Sequence, residues 1–416
     1  TIVGADISMS KQIAKDMGVK LQIKEMNFTA LIGALKTGKI DLIVSGMSKT
    51  PEREKEVNFS TPYLYETQVM VIRKADKAKY KSIADFSGKR VGAQKQTTQE
   101  QLAKTQLPGA KVTSLDKAND VVAQISYNKL DAGVLASTIA DSYVARTPSL
   151  TVIDPHFATD KAPTAIAVSK QSPALLKQVN KTISKVKGAK YKSYLQAAYK
   201  LQDQDQGFWA KYGNYFIRGA IYTLVFAVLT VLFGTIIGTL LALMKLSRNW
   251  LAKVVANIYI EFIRGTPLLV QAFIVFFGTQ ILGLDLSAFV AGAIAMAINS
   301  GAYVAEIIRG GINSVPVGQT EAARSLGLHQ SQAMRYVILP QAMKNIWPAL
   351  GNEFVTDIKE SSVLSVIGAT ELMFEGTVVQ GASFKPFLPL VVVAILYFIM
   401  TFTLSRLLRL IEKRFN

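Results

Sequence analysis

The second half of this 416-residue chain carries apolar runs longer than a soluble fold needs, and they limit what the molecule can be. A hydrocarbon core about 30 Å thick takes about 20 consecutive apolar residues in a helix. Ile217–Met244 is the first such run, with one charge near its start. Thr266–Gly283 is the second and is uncharged, and Leu286–Ile308 is the third, with Glu306 near its far end. Pro386–Leu404 is a clear fifth. Before it, Ile346–Gly368 has the length but holds Glu353, Asp357, Lys359 and Glu360. It reads as a span interrupted near Lys359, or as a partly interfacial segment. Charges inside a span tend to face a partner helix or an aqueous path. Asn299, Glu306, Asp357 and Lys359 are therefore the candidates for groups near such a path. Gly234 and Gly238 form a small-xxx-small pair, either a helix contact or ordinary membrane glycines.

Charge divides the chain at Asp205. Residues 1–205 carry 31 Lys/Arg and 19 Asp/Glu, whereas residues 206–416 carry 16 and 10. Basic residues crowd the connection after the first run (Lys245, Arg248, Lys253), the one after the third (Arg309, Arg324, Arg335, Lys344) and the tail (Arg406, Arg409, Lys413, Arg414). The intervening connections carry only Lys385. The positive-inside rule then puts the carboxyl terminus in the cytoplasm and, with five crossings, residues 1–205 outside the plasma membrane. An external domain meets no nucleic acid, so the net charge of +18 is read as a solvated lysine-rich surface. With no cysteine, disulfide scaffolds and thiolate sites are excluded, and two histidines, His156 and His329, suggest no metal cluster. The chain opens at Thr1 without initiator Met or leader pattern, as expected of a mature or trimmed product.

Residues 1–200 alternate strand-like and helical segments. LQIKEM (21–26), IDLIVSGM, TQVMVIR and KRVGAQ read as strands, and Phe28–Thr37 as an amphipathic helix. The alternation predicts an α/β fold with mainly parallel sheets in two units, one running to about Tyr65 and one over Lys89–Asp154. Strands near Tyr65–Arg73 and Thr164–Val168 would join them. A cleft between two lobes suits a small ligand. The stretch Ser45–Arg53 leaves a strand and enters a helix with Pro51 at its first position. Arg53 there is either a bidentate fork for a carboxylate or a surface arginine. Gly33–Lys39 approaches a P-loop, but Ile40 stands where Ser or Thr must hold Mg²⁺, and the order runs helix to strand. It reads as a helix C-cap.

Two sets of residues carry a resemblance. Glu321-Ala322-Ala323, Gly327 and Val337-Ile-Leu-Pro340 resemble the cytoplasmic EAA motif of ABC importer permeases, with Val337 in place of the usual isoleucine. Arg264–Gln271, Gly301–Gly311 and Asp357–Ser362 look like the polar amino-acid branch of that family. The resemblance implies a helix–turn–helix coupling loop, 313–341, that docks on a separate ATPase subunit. The amino-terminal half is similar to the solute-binding proteins of the same importers through Gly4–Ile7, Ser45–Ser48, Thr50–Arg53, Phe59–Tyr63 and Thr97–Glu100. That resemblance implies that Arg53 clamps the α-carboxylate of an amino acid, with Gly46, Ser48, Thr97, Thr98 and Phe28 completing the cradle. It also implies that the family's first strand precedes Thr1. An acidic partner for the ligand ammonium usually follows the strand matching Asp131–Leu135. Here Ala136 and Ser137 stand there, and Asp141 is the candidate substitute. Gln96 replaces a usual glycine.

The fold class expected is thus multidomain: a two-lobed α/β binding-protein clamshell over 1–200, a linker over 201–215, and an all-α permease of five membrane helices over 216–416. The function expected is the binding and permease subunit of an ATP-driven importer of glutamine, glutamate or asparagine, similar to the fused importers of Gram-positive bacteria. A homodimer with two ATPases is the expected assembly. No cofactor is expected in this chain, and ATP and Mg²⁺ belong to the partner. The rivals are an arginine/histidine-type importer and a ligand-gated channel, although no TVGYG-like filter is present. Neither a catalytic triad nor a paired-carboxylate site suggests an enzyme.

Overall fold

The computed structural model describes residues 4–158, 161–202, 207–385 and 387–415. They form two compact units. One holds the chain up to Tyr212 together with Val378–Pro389, the other Gly213–Thr377 and the chain from Leu390 onward.

Among the described residues the first unit has ten strands: β1 (Leu42–Ile43), β2 (Asn58–Phe59), β3 (Leu64–Glu66), β4 (Gln68–Arg73), β5 (Arg90–Gln94), β6 (Lys111–Leu115), β7 (Ala132–Ala136), β8 (Leu150–Ile153), β9 (Ala162–Thr164) and β10 (Ala167–Val168). One lobe is built on an antiparallel sheet ordered β1-β10-β2. Its core packs Met9 and Ile13 of the helix Ala5–Met17 against Val179, Ile183 and Val186 of the helix Pro173–Val186. The other lobe is a five-stranded sheet ordered β6-β5-β7-β4-β8. Every residue of β7 is buried, the mark of a strand covered on both faces. A two-stranded ribbon, β3 with β9, carries the chain between the two sheets.

The five-stranded sheet is mixed rather than mainly parallel, and the other pairings are antiparallel. Only β5–β6 and β5–β7 run parallel, while β4 pairs antiparallel with both β7 and β8. The reason is that β4 enters the second sheet from the other lobe and so runs against the strands laid down by helical crossovers. Residues 21–26 form no strand. Alternation alone cannot make one, since a strand needs a ladder partner. The near-P-loop is a helix end: the helix Leu31–Lys36 closes with Gly38 at φ +76°, and the Lys39 N–H returns to the Ala34 carbonyl at 2.9 Å. Gln96 also lies in the left-handed region, at φ +59°, which accounts physically for a glycine preference there.

In the second unit three helices have the length and apolarity of a span: Phe208–Leu246, Ala288–Asn313 and Leu388–Leu410. Two bent pairs bring the number to five if each is one span: Trp250–Arg264 with Leu268–Ile281 at 106°, and Gln330–Ile367 with Leu372–Ser383 at 51°. The second span expected, Thr266–Gly283, is therefore not one straight helix. Its 14-residue helix is about 21 Å long at 1.5 Å per residue. Gly265 and Pro267 break the chain ahead of it. The connection after the first span is largely the helix Trp250–Arg264. Residues 208–215, expected as linker, already belong to the first long helix, and 203–206 lie outside the described residues. In the fourth segment the helix Leu339–Glu360 passes into a 3₁₀ stretch at Ser361, two residues after Lys359. Pro386, the expected start of the fifth span, is likewise outside the described residues.

Gly234 and Gly238 are a helix contact. A methyl on Gly234 would lie 3.1 Å from Ser300 Cβ. One on Gly238 would lie 2.6 Å from Val304 Cβ and 2.8 Å from the Gly301 carbonyl. Small residues let the backbones of Phe208–Leu246 and Ala288–Asn313 approach where apolar burial offers little drive in lipid.

Three substitutions check these backbone readings by thermal unfolding of the purified chain in detergent. Gly238→Ala is expected to destabilise by about 1–3 kcal/mol through overpacking. Gly278→Ala, where a methyl meets nothing within 4 Å, should be neutral or slightly stabilising. Gln96→Gly is expected to raise the stability of the first unit by about 0.5–1 kcal/mol, because relief of the left-handed strain exceeds the added chain entropy. An unchanged or lowered midpoint for Gln96→Gly refutes the strain.

Candidate functional site

In the first unit the residues expected at the ligand cleft come together. Thr50 caps the helix Pro51–Glu56, its hydroxyl accepting from the Arg53 N–H at 3.3 Å, and Pro51 occupies a first-turn position. That cap fixes where the Arg53 side chain leaves the helix. The guanidinium Nη1 donates to the Ser48 carbonyl and Nη2 to the Gln96 carbonyl, both at 2.7 Å. Ser48 lies in the first lobe and Gln96 follows β5 in the second, so one side chain bridges the lobes. Its carbon Cζ sits 5.5 Å from the centroid of the Phe28 ring, within cation–π range. Burial lowers the pKa of Arg53 from its ordinary value, yet a guanidinium stays charged. None of the ion pairs among the described residues involves Arg53.

Hydroxyls line the same place. Ser48 Oγ and Thr98 Oγ1 are 3.3 Å apart across the lobes. Thr97 caps the helix Thr98–Gln106, accepting from the Glu100 N–H and donating to the Gln94 carbonyl at 2.6 Å. Gly46 adopts φ +60°, and its N–H donates to the Asp6 carboxylate. Asp6 also accepts from Tyr191 at 2.7 Å and from Tyr63 at 3.2 Å, and burial is the largest cause of its raised pKa. Arg53, Gly46, Ser48, Thr97, Thr98 and Phe28 thus form one group. Asp141 does not join it. The residue is exposed on the helix Ser137–Val144, outside the hydrogen bonds that tie the cleft.

Sequence reasoning missed Glu66, the last residue of β3. It is 5% exposed and accepts hydrogen bonds from the Thr138 hydroxyl and from Thr164 Oγ1, the latter at 3.2 Å. Beside it, Gln99 Nε2 donates to Gln68 Oε1 at 2.6 Å. In the sequence Glu66 is followed by the polar Thr67 and Gln68, so nothing local marks it as buried.

In the second unit the coupling segment is a helix–turn–helix. The helix Val317–Ser325 ends at Gly327, φ +88°, where the Leu328 N–H returns to the Ala323 carbonyl at 3.2 Å. Ala323 is buried, while Glu321, Ala322 and Gly327 are exposed and Leu326 is 84% exposed. A second short helix, Gln330–Ala333, runs through a π-helical stretch, Met334–Ile338, into the helix that contains Pro340. Proline lacks an N–H and crowds the preceding turn, and the widened π turn directly ahead of it accommodates both.

Of the four path candidates, Glu306 proves to be paired. Its oxygens take Lys245 Nζ at 2.6 Å and the Arg309 guanidinium at 2.7 Å, so it is a neutralised ion triad rather than a free charge. Asn299 donates to Gln271 Oε1 at 3.0 Å. Gln271 in turn donates to the Ile263 carbonyl at 2.8 Å and the Thr266 carbonyl at 3.1 Å. It thereby satisfies carbonyls left open at the Gly265–Pro267 break. Asp357 is 3% exposed and accepts from Ser300 Oγ at 3.3 Å, whereas Lys359 is exposed. Glu353, Asp357 and Glu360 are spaced four and three apart, on one face of their helix. The sequence reading also passed over Glu371 and Glu375, both fully buried. Glu371 accepts from Tyr397 at 2.7 Å, and Glu375 pairs with Arg218.

Comparison with known proteins agrees with both halves. Residues 1–199 match the bacterial extracellular solute-binding proteins, family 3, and residues 234–416 match the binding-protein-dependent transport system inner membrane component. A putative glutamine transport system permease protein of Rickettsia bellii is 42% identical over 201 residues, which is 48% of this chain and 92% of that protein. An arginine transport system permease protein of Bacillus subtilis is 37% identical, again over 48% of this chain and 92% of that protein. A solved structure described as an amino acid ABC transporter with histidines shares 51% identity over 49% of this chain and 96% of its own, with a TM-score of 0.48. The chain belongs to the amino-acid ABC transporter permeases, with a family 3 solute-binding domain joined to the permease domain in one polypeptide.

Proposed function

We propose that this chain captures a polar amino acid in its two-lobed domain and passes it to an alternating-access path through the permease domain. The observation that carries the reading is the bridging Arg53. Its fork already takes an oxygen from each lobe, no ion pair among the described residues involves it, and the residues that supply those oxygens adjoin the hydroxyls of Ser48, Thr97 and Thr98. A ligand α-carboxylate is a stronger acceptor for that fork than a peptide carbonyl, because both partners are then charged. The donor that ties the lobes would thereby also grip the ligand, coupling occupancy to closure.

Glutamine, glutamate and asparagine are the substrates favoured. Several of the relatives are named glutamine transport permeases, and an arginine-type relative keeps the arginine/histidine reading as the alternative. The binding domain sits outside the plasma membrane and the carboxyl terminus inside. This orientation is supported by the hydrogen bond of Arg248 to Gln330 at 2.9 Å, which puts the first basic connection at the same end as the coupling helices. Two ATPase subunits, which hold ATP and Mg²⁺, dock on Glu321–Pro340, where exposed Leu326 and Tyr336 offer apolar contacts. Two permease copies enclose the path, to which Asn299, Asp357 and Lys359 contribute.

Calorimetry of the full chain in nanodiscs against the twenty amino acids tests the clamp. Wild type is expected to bind one or more polar amino acids, and Arg53→Ala to weaken that binding at least about 100-fold through loss of a charge-assisted pair. Normal binding by Arg53→Ala removes the clamp. Uptake into vesicles should require both ATP and the ATPase. Conduction without either would favour a ligand-gated channel.

A further inference from the structure

An amino acid held by its carboxylate at Arg53 brings an ammonium into the cleft on the neighbouring carbon. Burying that cation without a partner costs several kcal/mol, so the cleft must supply an anion close to the clamp. The position after β7 offers none, since Ala136 has only a methyl and Ser137 a hydroxyl. Asp141 is exposed and apart from the group. Asp6 is held by Tyr63 and Tyr191, which belong to the core of the first lobe.

Glu66 meets the requirement by position. Its Oε2 accepts from Thr164, and Thr164 forms a backbone bridge with Ser48. Ser48 in turn gives its carbonyl to Arg53 and its hydroxyl to Thr98. A single bridged residue pair, Ser48 and Thr164, therefore links the buried carboxylate to the clamp. The backbone register brings the same carboxylate to the place where an acid is missing. Gln68 pairs with Ala136, the Ser137 N–H donates to the Thr67 carbonyl at 3.0 Å, and the Thr138 hydroxyl and N–H both donate to Glu66. A carboxylate accepts about four hydrogen bonds, and three are taken here. The remaining site, with the free lone pairs of the Thr138 and Thr164 hydroxyls, is the set of acceptors that an ammonium with three N–H groups needs.

We infer that Glu66 is the counter-ion for the α-ammonium of the bound amino acid, supplied from β3 in place of an acid after β7. The inference rests on the clamp reading of Arg53. Burial is the largest cause of the raised pKa of Glu66, opposed by the two threonines, and Asp6 nearby adds to the rise. Tyr63 and Tyr191 also face this acidic pair. An arriving ammonium favours the ionised form, so ligand affinity falls as pH drops and Glu66 takes up a proton.

The test uses the full chain in nanodiscs with two probe pairs: glutamine with its desamino counterpart glutaramic acid, and arginine with 5-guanidinopentanoic acid. Glu66→Gln keeps the size and most of the hydrogen bonds. It is expected to weaken whichever amino acid wild type binds by about 100-fold, while its desamino counterpart changes less than about threefold and the loss of affinity at acid pH disappears. Adding Ala136→Asp to Glu66→Gln should restore at least about tenfold by returning a carboxylate to the same place. Three results overturn the inference: unchanged amino-acid binding in Glu66→Gln, equal weakening of an amino acid and its desamino partner, or a loss confined to arginine, which would mean the acid reads a cationic side chain. If wild type binds no amino acid at all, the clamp reading falls and this inference falls with it. If Arg53→Ala abolishes binding while Glu66→Gln does not, the clamp stands and only the counter-ion is refuted.

Discussion

The binding half depends on one side chain satisfying acceptors from two lobes. Arg53 reaches the Ser48 carbonyl on one side and the Gln96 carbonyl on the other, and only a rigid fork with separated N–H groups can do both at 2.7 Å. Everything local serves to aim it. The Thr50 cap and Pro51 start its short helix, the left-handed turn at Gln96 points a carbonyl toward it, and the Ser48–Thr164 bridge anchors the opposite wall. Because both acceptors are neutral, the guanidinium charge is solvated by dipoles but not cancelled. A guanidinium held by neutral acceptors attracts an anion, which is the basis of the clamp proposed above.

The membrane half answers a different constraint, that each backbone break within an apolar bundle must find hydrogen bonds inside the protein. At Gly265–Pro267 the Gln271 amide supplies them and is itself held by Asn299. Ahead of Pro340 the π turn does the same service through geometry. At Gly368, φ +84°, the Ala369 N–H returns to the Leu364 carbonyl at 3.2 Å, and Glu371 receives the N–H groups of Met373 and Phe374 that open the next helix. Polar residues that look like errors in an apolar sequence are mostly repairs of this sort.

That distinction explains what could be read from the residues and what could not. The division into two halves, the apolar helices, the glycine contact at Gly234 and Gly238, the Pro51 helix start and the glycine turn of the coupling segment all follow from local rules acting on a few neighbouring residues. The strand at 21–26 failed because alternation says nothing about whether a ladder partner exists. The mainly parallel sheet failed because the sense of β4 is set by its passage between lobes. Glu306 reads from sequence as a path candidate because Lys245, 61 positions away, cannot be seen as its partner there. Glu66 went unnoticed for the same reason: its meaning depends on Thr138 and Thr164, brought to it by β7 and β9.

Pairing sorts the membrane charges more sharply than burial does. Glu306 and Glu375 each meet a basic side chain, so their charge is neutralised within the bundle and their role is cohesion. Glu353, Asp357 and Glu360 stand on one helical face, and among the described residues no ion pair involves them. Asp357 accepts from the Ser300 hydroxyl, on a helix whose neighbouring Asn299 is already committed to Gln271. Three carboxylates within two turns repel one another and are costly against lipid, so this face is best served by water or by a cationic group.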